Sequence, residues 1–106
     1  MKVLFVCTGN VDRSRTAEEM FKNVEGLEVR SAGTSYAATV QVTKEMLDWA
    51  DRIFVMEDLH ERALLKMDKE IWRKVVVLDV PDKYYFNEPE LRALLGEKMR
   101  QYFKKA

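Results

Sequence analysis

One cysteine, Cys7, is all the sulfhydryl chemistry that 106 residues contain. A lone cysteine excludes an internal disulfide framework and a cysteine-rich zinc site. Charge of one sign is missing as well: eighteen basic residues balance eighteen acidic ones. No global field therefore draws the chain toward nucleic acid or an anionic membrane, and any anion site must be built locally. No apolar run approaches the roughly 20 residues that span a bilayer. The N-terminal apolar run, Val3 to Val6, is too short for a secretory signal core, so a cytoplasmic location is expected. Repeats, low-complexity stretches and linkers are also wanting. The length suits one domain over residues 1–106 with a genuine core.

What is present alternates. Val3–Val6, Leu27–Ser31, Ile53–Met56 and Val75–Leu78 are short apolar, β-branched-rich runs that read as strands. Between them lie helical spacings. Ala17, Met20, Phe21 and Val24 follow Ser14, and Glu25-Gly26 is expected to close that helix. Ala32 to Ser35 reads as a loop. Thr43 reads as the N-cap of a helix carrying Met46, Leu47 and Trp49, and Asp58 as the cap of one carrying Ala63, Leu64 and Met67. Pro81 breaks the fourth strand. A last helix is expected from Asn87-Glu88-Pro89 to Phe103, with Lys104-Lys105 at its end. The expected fold class is α/β: a three-layer sandwich with a four-stranded parallel sheet flanked by helices, and a phosphate-binding loop after strand 1. Ligand sites in such folds lie at the carboxyl ends of the strands. Cys7, the Ser31–Thr34 segment, Met56–Asp58 and Asp79–Tyr85 should therefore share one face.

Cys7-Thr8-Gly9-Asn10-Val11-Asp12-Arg13-Ser14 lies between a buried strand and a helix N-terminus. A loop so placed turns successive backbone N–H groups toward one point, with the helix dipole behind them. Gly9 is expected to supply an unusual backbone angle. The cradle suits phosphate, and Arg13 can add a two-pronged hydrogen bond. The same field favours the thiolate of Cys7, which can then attack phosphorus. Ser14 can donate to that sulfur, and Asn10 can hold the loop through its side-chain amide. Cys-x5-Arg alone is a weak signal; the strand before it, Gly-Asn within it and Ser after it make it specific. His60, in a charged helical stretch, reads as solvated. Trp49, Trp72 and the methionines read as packing.

These residues carry a resemblance. Val6 to Ser14 resembles the V-C-x-G-N-x-C-R-S signature of the low-molecular-weight protein tyrosine phosphatases. Ser31-Ala32-Gly33-Thr34 is similar to that family's S-A-G-T, Ala50 to Met56 to its third-strand segment, and Asp82-Lys83-Tyr84-Tyr85 to its D-P-Y-Y. The chain resembles a short prokaryotic branch, reduced in the loops after Thr34 and after the third strand. The resemblance implies a cysteine-dependent phosphomonoesterase, most simply a protein tyrosine phosphatase, without metal or other cofactor. Its partner would be a phosphotyrosine-containing protein or a small aryl phosphate, with inhibition by phosphate or vanadate, and neither nucleic acid nor membrane. Cys7 would be the nucleophile, Arg13 the phosphate clamp and Asp82 the general acid. Thr8, Gly9, Asn10, Val11, Asp12, Arg13 and Ser14 would bind phosphate, with Tyr84 and Tyr85 walling the aryl ring or packing on the last helix. Asp79, at a strand end, competes with Asp82.

Departures from the signature matter. Asp12 replaces the family's frequent second cysteine, so peroxide should carry Cys7 to sulfenic acid with no resolving thiol. A carboxylate inside an anion loop is adverse, so Asp12 is expected to point outward, toward Arg15. Three rivals stand beside the main reading. One is a phosphate- or phosphopeptide-binding module that lost turnover. Another is an arsenate reductase-like protein, which would need further thiols. The third is a phosphatase for a sugar, nucleotide or RNA phosphate.

Overall fold

A computed structural model describes residues 1–103. Strands β1 (Lys2–Cys7), β2 (Glu28–Gly33), β3 (Arg52–Val55) and β4 (Val75–Val77) form one sheet in the order β2-β1-β3-β4. All pairings are parallel. Helices α1 (Arg13–Phe21), α2 (Lys44–Trp49), α3 (Asp58–Met67) and α4 (Pro89–Met99) fill the connections, with a 3-10 segment at Lys69–Lys74.

The layers follow from strand alternation. Val3, Phe5 and Cys7 of β1 join Phe54 and Met56 against Ala17, Leu91, Leu95 and Met99. Leu4 and Val6 point the other way and join Ile53 and Val55 against Leu47, Leu64 and Ile71. β1 and β3 are thus apolar throughout because both faces are covered. Each large side chain so buried stabilises the fold by roughly 1.5–3 kcal/mol. Phe5 stacks on Phe21 and Phe54, with centroids 6.0 and 5.6 Å apart.

The strand order places a crevice where the site was expected. The chain leaves β1 for α1 on one face and leaves β3 for α3 on the other. The space between those two exits stays open at the carboxyl ends of β1 and β3.

Several expected boundaries move. α1 stops at Phe21, where two successive i to i+3 bonds, Val24 N–H to Phe21 and Leu27 N–H to Val24, replace helix. Gly26 is left-handed (φ 89°) but serves the turn into β2, not the helix end. Ala32 and Gly33 belong to β2, paired with Val6 and Cys7. Thr43 caps α2 as expected, its Oγ1 accepting from Met46 N–H at 3.2 Å. The cap of α3 is Glu57, not Asp58, whose carboxylate instead pairs with Arg62 at 2.7 Å. α4 ends at Met99; Tyr102 and Phe103 follow it in a turn and pack edge-on against Phe54 and Phe21. Lys104-Lys105 lies outside the described residues. Trp49 covers the α2 side of the core, but Trp72 is exposed, as are Met1 and Met67.

Candidate active site

The loop between β1 and α1 is built by turning its carbonyls outward. Cys7, Thr8 and Gly9 carbonyls accept from the N–H groups of Thr34, Ser35 and Thr39 at 2.9, 3.0 and 3.1 Å. Their peptide planes are thereby fixed with the N–H groups on the opposite side. Among the described residues no acceptor takes the N–H of Thr8, Gly9, Val11 or Asp12. Unpaired donors beside a helix N-terminus form an anion cradle. The left-handed residue is Asn10 (φ 54°), not Gly9, around which a Cβ would meet only Val11 at 3.7 Å. Asparagine tolerates that region better than most side chains. The glycine that the loop truly requires is Gly33. A Cβ there would lie 2.5 Å from the Thr8 carbonyl oxygen and 3.0 Å from Asn10 N.

Asn10 ties the loop together from below, as its amide was expected to do. Its Nδ2 donates to Ser14 Oγ at 2.8 Å and to Ser31 Oγ at 2.9 Å. Ser31 in turn donates to Glu18 at 2.5 Å. Since Ser14 Oγ already accepts, its proton is free for Cys7 Sγ, 3.0 Å away. Asn10 N–H also points at that sulfur, at 3.3 Å. Asn10 Oδ1 is buried without a partner, which costs about 1–3 kcal/mol. Reversing the amide would draw the Ser14 proton away from the sulfur.

Cys7 is 3% exposed and forms the floor of a cavity of about 280 Å³ lined by Thr8, Gly9, Val11, Asp12, Arg13 and Asp82. Arg13 is 2% exposed. Its Nη1 donates to the Glu57 carboxylate and, at 2.8 Å, to the Val80 carbonyl. Among the described residues Nε and Nη2 have no hydrogen-bond partner, which leaves one edge of the guanidinium for two phosphate oxygens. A larger cleft of about 450 Å³, with Arg15, Glu18 and Arg30 in its wall, lies behind the loop and does not reach the sulfur.

His60 overturns its reading as a solvated residue. It is fully buried, 2.8 Å from Thr8 Oγ1 through Nε2, while Nδ1 accepts from Glu57 N–H at 3.0 Å. The acceptor role of Nδ1 puts the proton on Nε2, which donates to Thr8. Burial, and next the nearby Arg13 charge, lower its pKa to about 4. Neither Glu57 nor His60 was singled out from the sequence as part of the site. The available signals were the place of Glu57 within Met56–Asp58, on the face expected to carry the site, and the spacing of the pair at the cap and third residue of α3.

Asp82 lines the cavity with its carboxylate 3.8 Å from Arg13 Nε and its side chain 69% exposed. Asp79 is left-handed (φ 58°) and does not line it. Tyr84 packs on the α1–α4 side of the core and Tyr85 is 80% exposed; neither lines the cavity. Asp12 is among the residues that line the cavity, and Arg15, its expected partner, pairs instead with Glu18 at 3.9 Å. Tyr36 is exposed at the tip of the loop that binds the Cys7–Gly9 carbonyls. Among the described residues, no group of three or more His, Cys, Asp or Glu side chains could hold a metal, and no helix is long and apolar enough to cross a membrane.

A parallel sheet whose first strand delivers a buried thiol into a cradle of amides, beside a half-free guanidinium, defines a cysteine-dependent phosphatase. Comparisons with known proteins agree. The family model for low molecular weight phosphotyrosine protein phosphatases matches residues 2–47. The protein-arginine-phosphatase of Geobacillus stearothermophilus is 31% identical over 101 residues, covering 73% of this chain and 68% of that protein. The solved arginine phosphatase YwlE from the same organism superposes with a TM-score of 0.74 at 25% identity, over 97% of this chain and 92% of that one. Wzb of Vibrio vulnificus, solved with benzylphosphonate, superposes with a TM-score of 0.83 at 24% identity, over 99% and 98% of the two chains, and shows the shared fold. The chain belongs to the low-molecular-weight phosphotyrosine protein phosphatase family and is a cysteine-dependent phosphatase.

Proposed function

We propose that the protein is a protein tyrosine phosphatase in which Cys7, Arg13 and Asp82 carry the reaction. The observation that carries the reading is the Cys7 sulfur itself. It receives Ser14 Oγ at 3.0 Å and Asn10 N at 3.3 Å beneath a fan of unpaired N–H groups. Negative charge on Sγ is favoured by all of these and by the α1 N-terminus. The thiolate attacks phosphorus, the S–P bond forms, and the P–O bond to the leaving aryl oxygen breaks. Asp82 gives that oxygen its proton. Water then attacks phosphorus and yields its proton to Asp82, the S–P bond breaks, and phosphate leaves. Throughout, Arg13 and the free amides of the loop, those of Thr8, Gly9, Val11 and Asp12 among them, hold the equatorial oxygens, where charge is spread in the transition state. Glu57 and the Val80 carbonyl keep the guanidinium turned edge-on.

Val11 favours an aryl leaving group: this apolar residue lines the cavity and is 54% exposed. A second reading has its own support. Asp12 and Asp82 both line the cavity, and carboxylates there suit a cationic guanidinium leaving group. The Geobacillus relative is described as a protein-arginine phosphatase. Free phosphate or vanadate should compete with either substrate. A thiolate that must stay reduced suits a cytoplasmic setting. The deciding experiment compares kcat/KM on one peptide bearing phosphotyrosine or phosphoarginine, with Val11→Thr alongside. Preference for phosphotyrosine, weakened by Val11→Thr, is expected; preference for phosphoarginine in the wild type would replace the first reading by the second.

A further inference from the structure

The single histidine of the chain is buried against the loop, and neither the chemistry above nor the family match assigns it a task. Both nitrogens of its ring are bonded. Nε2 reaches Thr8 Oγ1 at 2.8 Å, at the start of the loop. Nδ1 takes the N–H of Glu57 at 3.0 Å, and the Glu57 carboxylate holds Arg13, at the loop's end. These contacts span the crevice between the β1 and β3 exits. The loop has bonds of a different kind on its other flank, where Thr34, Ser35 and Thr39 bind its carbonyls. On the β3 flank, the Thr8 hydroxyl ties the loop to His60 of α3.

We propose that His60 is a positioning residue: its neutral imidazole braces Thr8 and Glu57 together, fixing the Thr8–Gly9 amides relative to the Arg13 guanidinium. The proposal rests on the phosphate-binding roles given above to the loop and Arg13. Amides and guanidinium must converge on oxygens whose arrangement changes from tetrahedral to trigonal bipyramidal during transfer. A brace that sets their spacing should therefore matter more for the five-coordinate arrangement than for the ground state. The groups facing the ring are Arg13, Glu57 and Asp82, and burial with the Arg13 charge keeps the imidazole neutral down to about pH 4. The brace consequently has one protonation state across the working range.

Three variants separate the two ring contacts. His60→Asn keeps an acceptor near Nδ1 for Glu57 N–H and removes the donor to Thr8. Thr8→Val removes the acceptor alone, and His60→Gln can restore a donor near the Nε2 position. Calorimetry with vanadate and with inorganic phosphate reads the five-coordinate and tetrahedral states without needing turnover, and kcat on p-nitrophenyl phosphate is measured beside it. His60→Asn and Thr8→Val should each weaken vanadate about ten-fold and lower kcat similarly, with phosphate changed less than two-fold. The double variant should be no worse than either single one, and His60→Gln should recover most of the loss. Vanadate binding as in the wild type overturns the proposal, as do equal losses for both anions or fully additive effects. A wild type that binds neither anion would instead overturn the role given to the loop.

Discussion

The segments Cys7–Ser14 and Asp79–Glu88 frame one cavity by opposite means. In the first, carbonyls, hydroxyls and amide groups are bonded to neighbours from β2, α3 and the 34–39 loop, and Asn10, Arg13 and Ser14 are buried. The second has hydrogen bonds to the sheet and to α1 toward its ends, with Tyr84 packed on the core between them. Val80 N–H donates to Met56 at 2.8 Å and Asn87 N–H to Thr16 Oγ1 at 2.7 Å, next to left-handed residues at Asp79 and Asn87. Between those bonds Asp82 stands mostly in solvent. The Cys7–Ser14 half is therefore organised by the protein's own bonds. The half that carries Asp82 is far more open to solvent.

Mutations can break this contrast in graded steps. Cys7→Ser should abolish turnover, by on the order of 10⁴-fold or more, while phosphate still binds in calorimetry because the amides remain. Arg13→Lys replaces a two-pronged donor by a point charge and leaves Glu57 poorly paired, so kcat/KM should fall about 10³-fold. Asp82→Ala should lower kcat by about 10²-fold on phenyl phosphate and much less on 2,4-dinitrophenyl phosphate, whose leaving group needs no proton. Asp79→Asn, which keeps a residue tolerant of the left-handed region, should stay within about two-fold. An equal loss on both esters for Asp82→Ala would remove it from the acid role.

Gly33→Ala probes the prebuilt half from behind. Its Cβ would meet the Thr8 carbonyl oxygen at 2.5 Å, a backbone atom that cannot swing aside. About 1–3 kcal/mol of stability and about ten-fold in kcat/KM should be lost, read by denaturant titration and steady-state kinetics. The smallest effect on catalysis is a stability effect. His60 has a folded-state pKa of about 4 against its ordinary 6.5. The unfolded chain therefore binds that proton first. Stability from this group is fully present above pH 6.5, is lost as pH falls toward 4, and levels off below, a change of about 3 kcal/mol at most. His60→Gln should flatten the slope of denaturation free energy over that window.

Much of this contrast can be read in the residues themselves. β-branched runs marked the strands, Thr43 marked a cap, and Cys7, Arg13 and Ser14 stood in a pattern that few structures other than a phosphate cradle would need. Asn10 was legible as the loop's tie because a short amide can bond locally. Glu57 and His60 were not, since their partners lie 44 and 52 residues away in sequence and only the sheet order brings β3 beside β1. The same holds for Gly33, whose lack of a side chain is required by a neighbour on another strand. α1 ended early for a local reason, the paired turns at Val24 and Leu27, which its apolar spacing concealed.

The most direct test of the account is to trap the covalent intermediate. The Asp82→Ala variant, mixed with 2,4-dinitrophenyl phosphate and quenched in acid within milliseconds, should carry one phosphoryl group, mapped by peptide mass spectrometry to Cys7. A burst of dinitrophenolate should match it in amount. Turnover without a burst and without any phosphorylated Cys7 would contradict a cysteine nucleophile in this cradle.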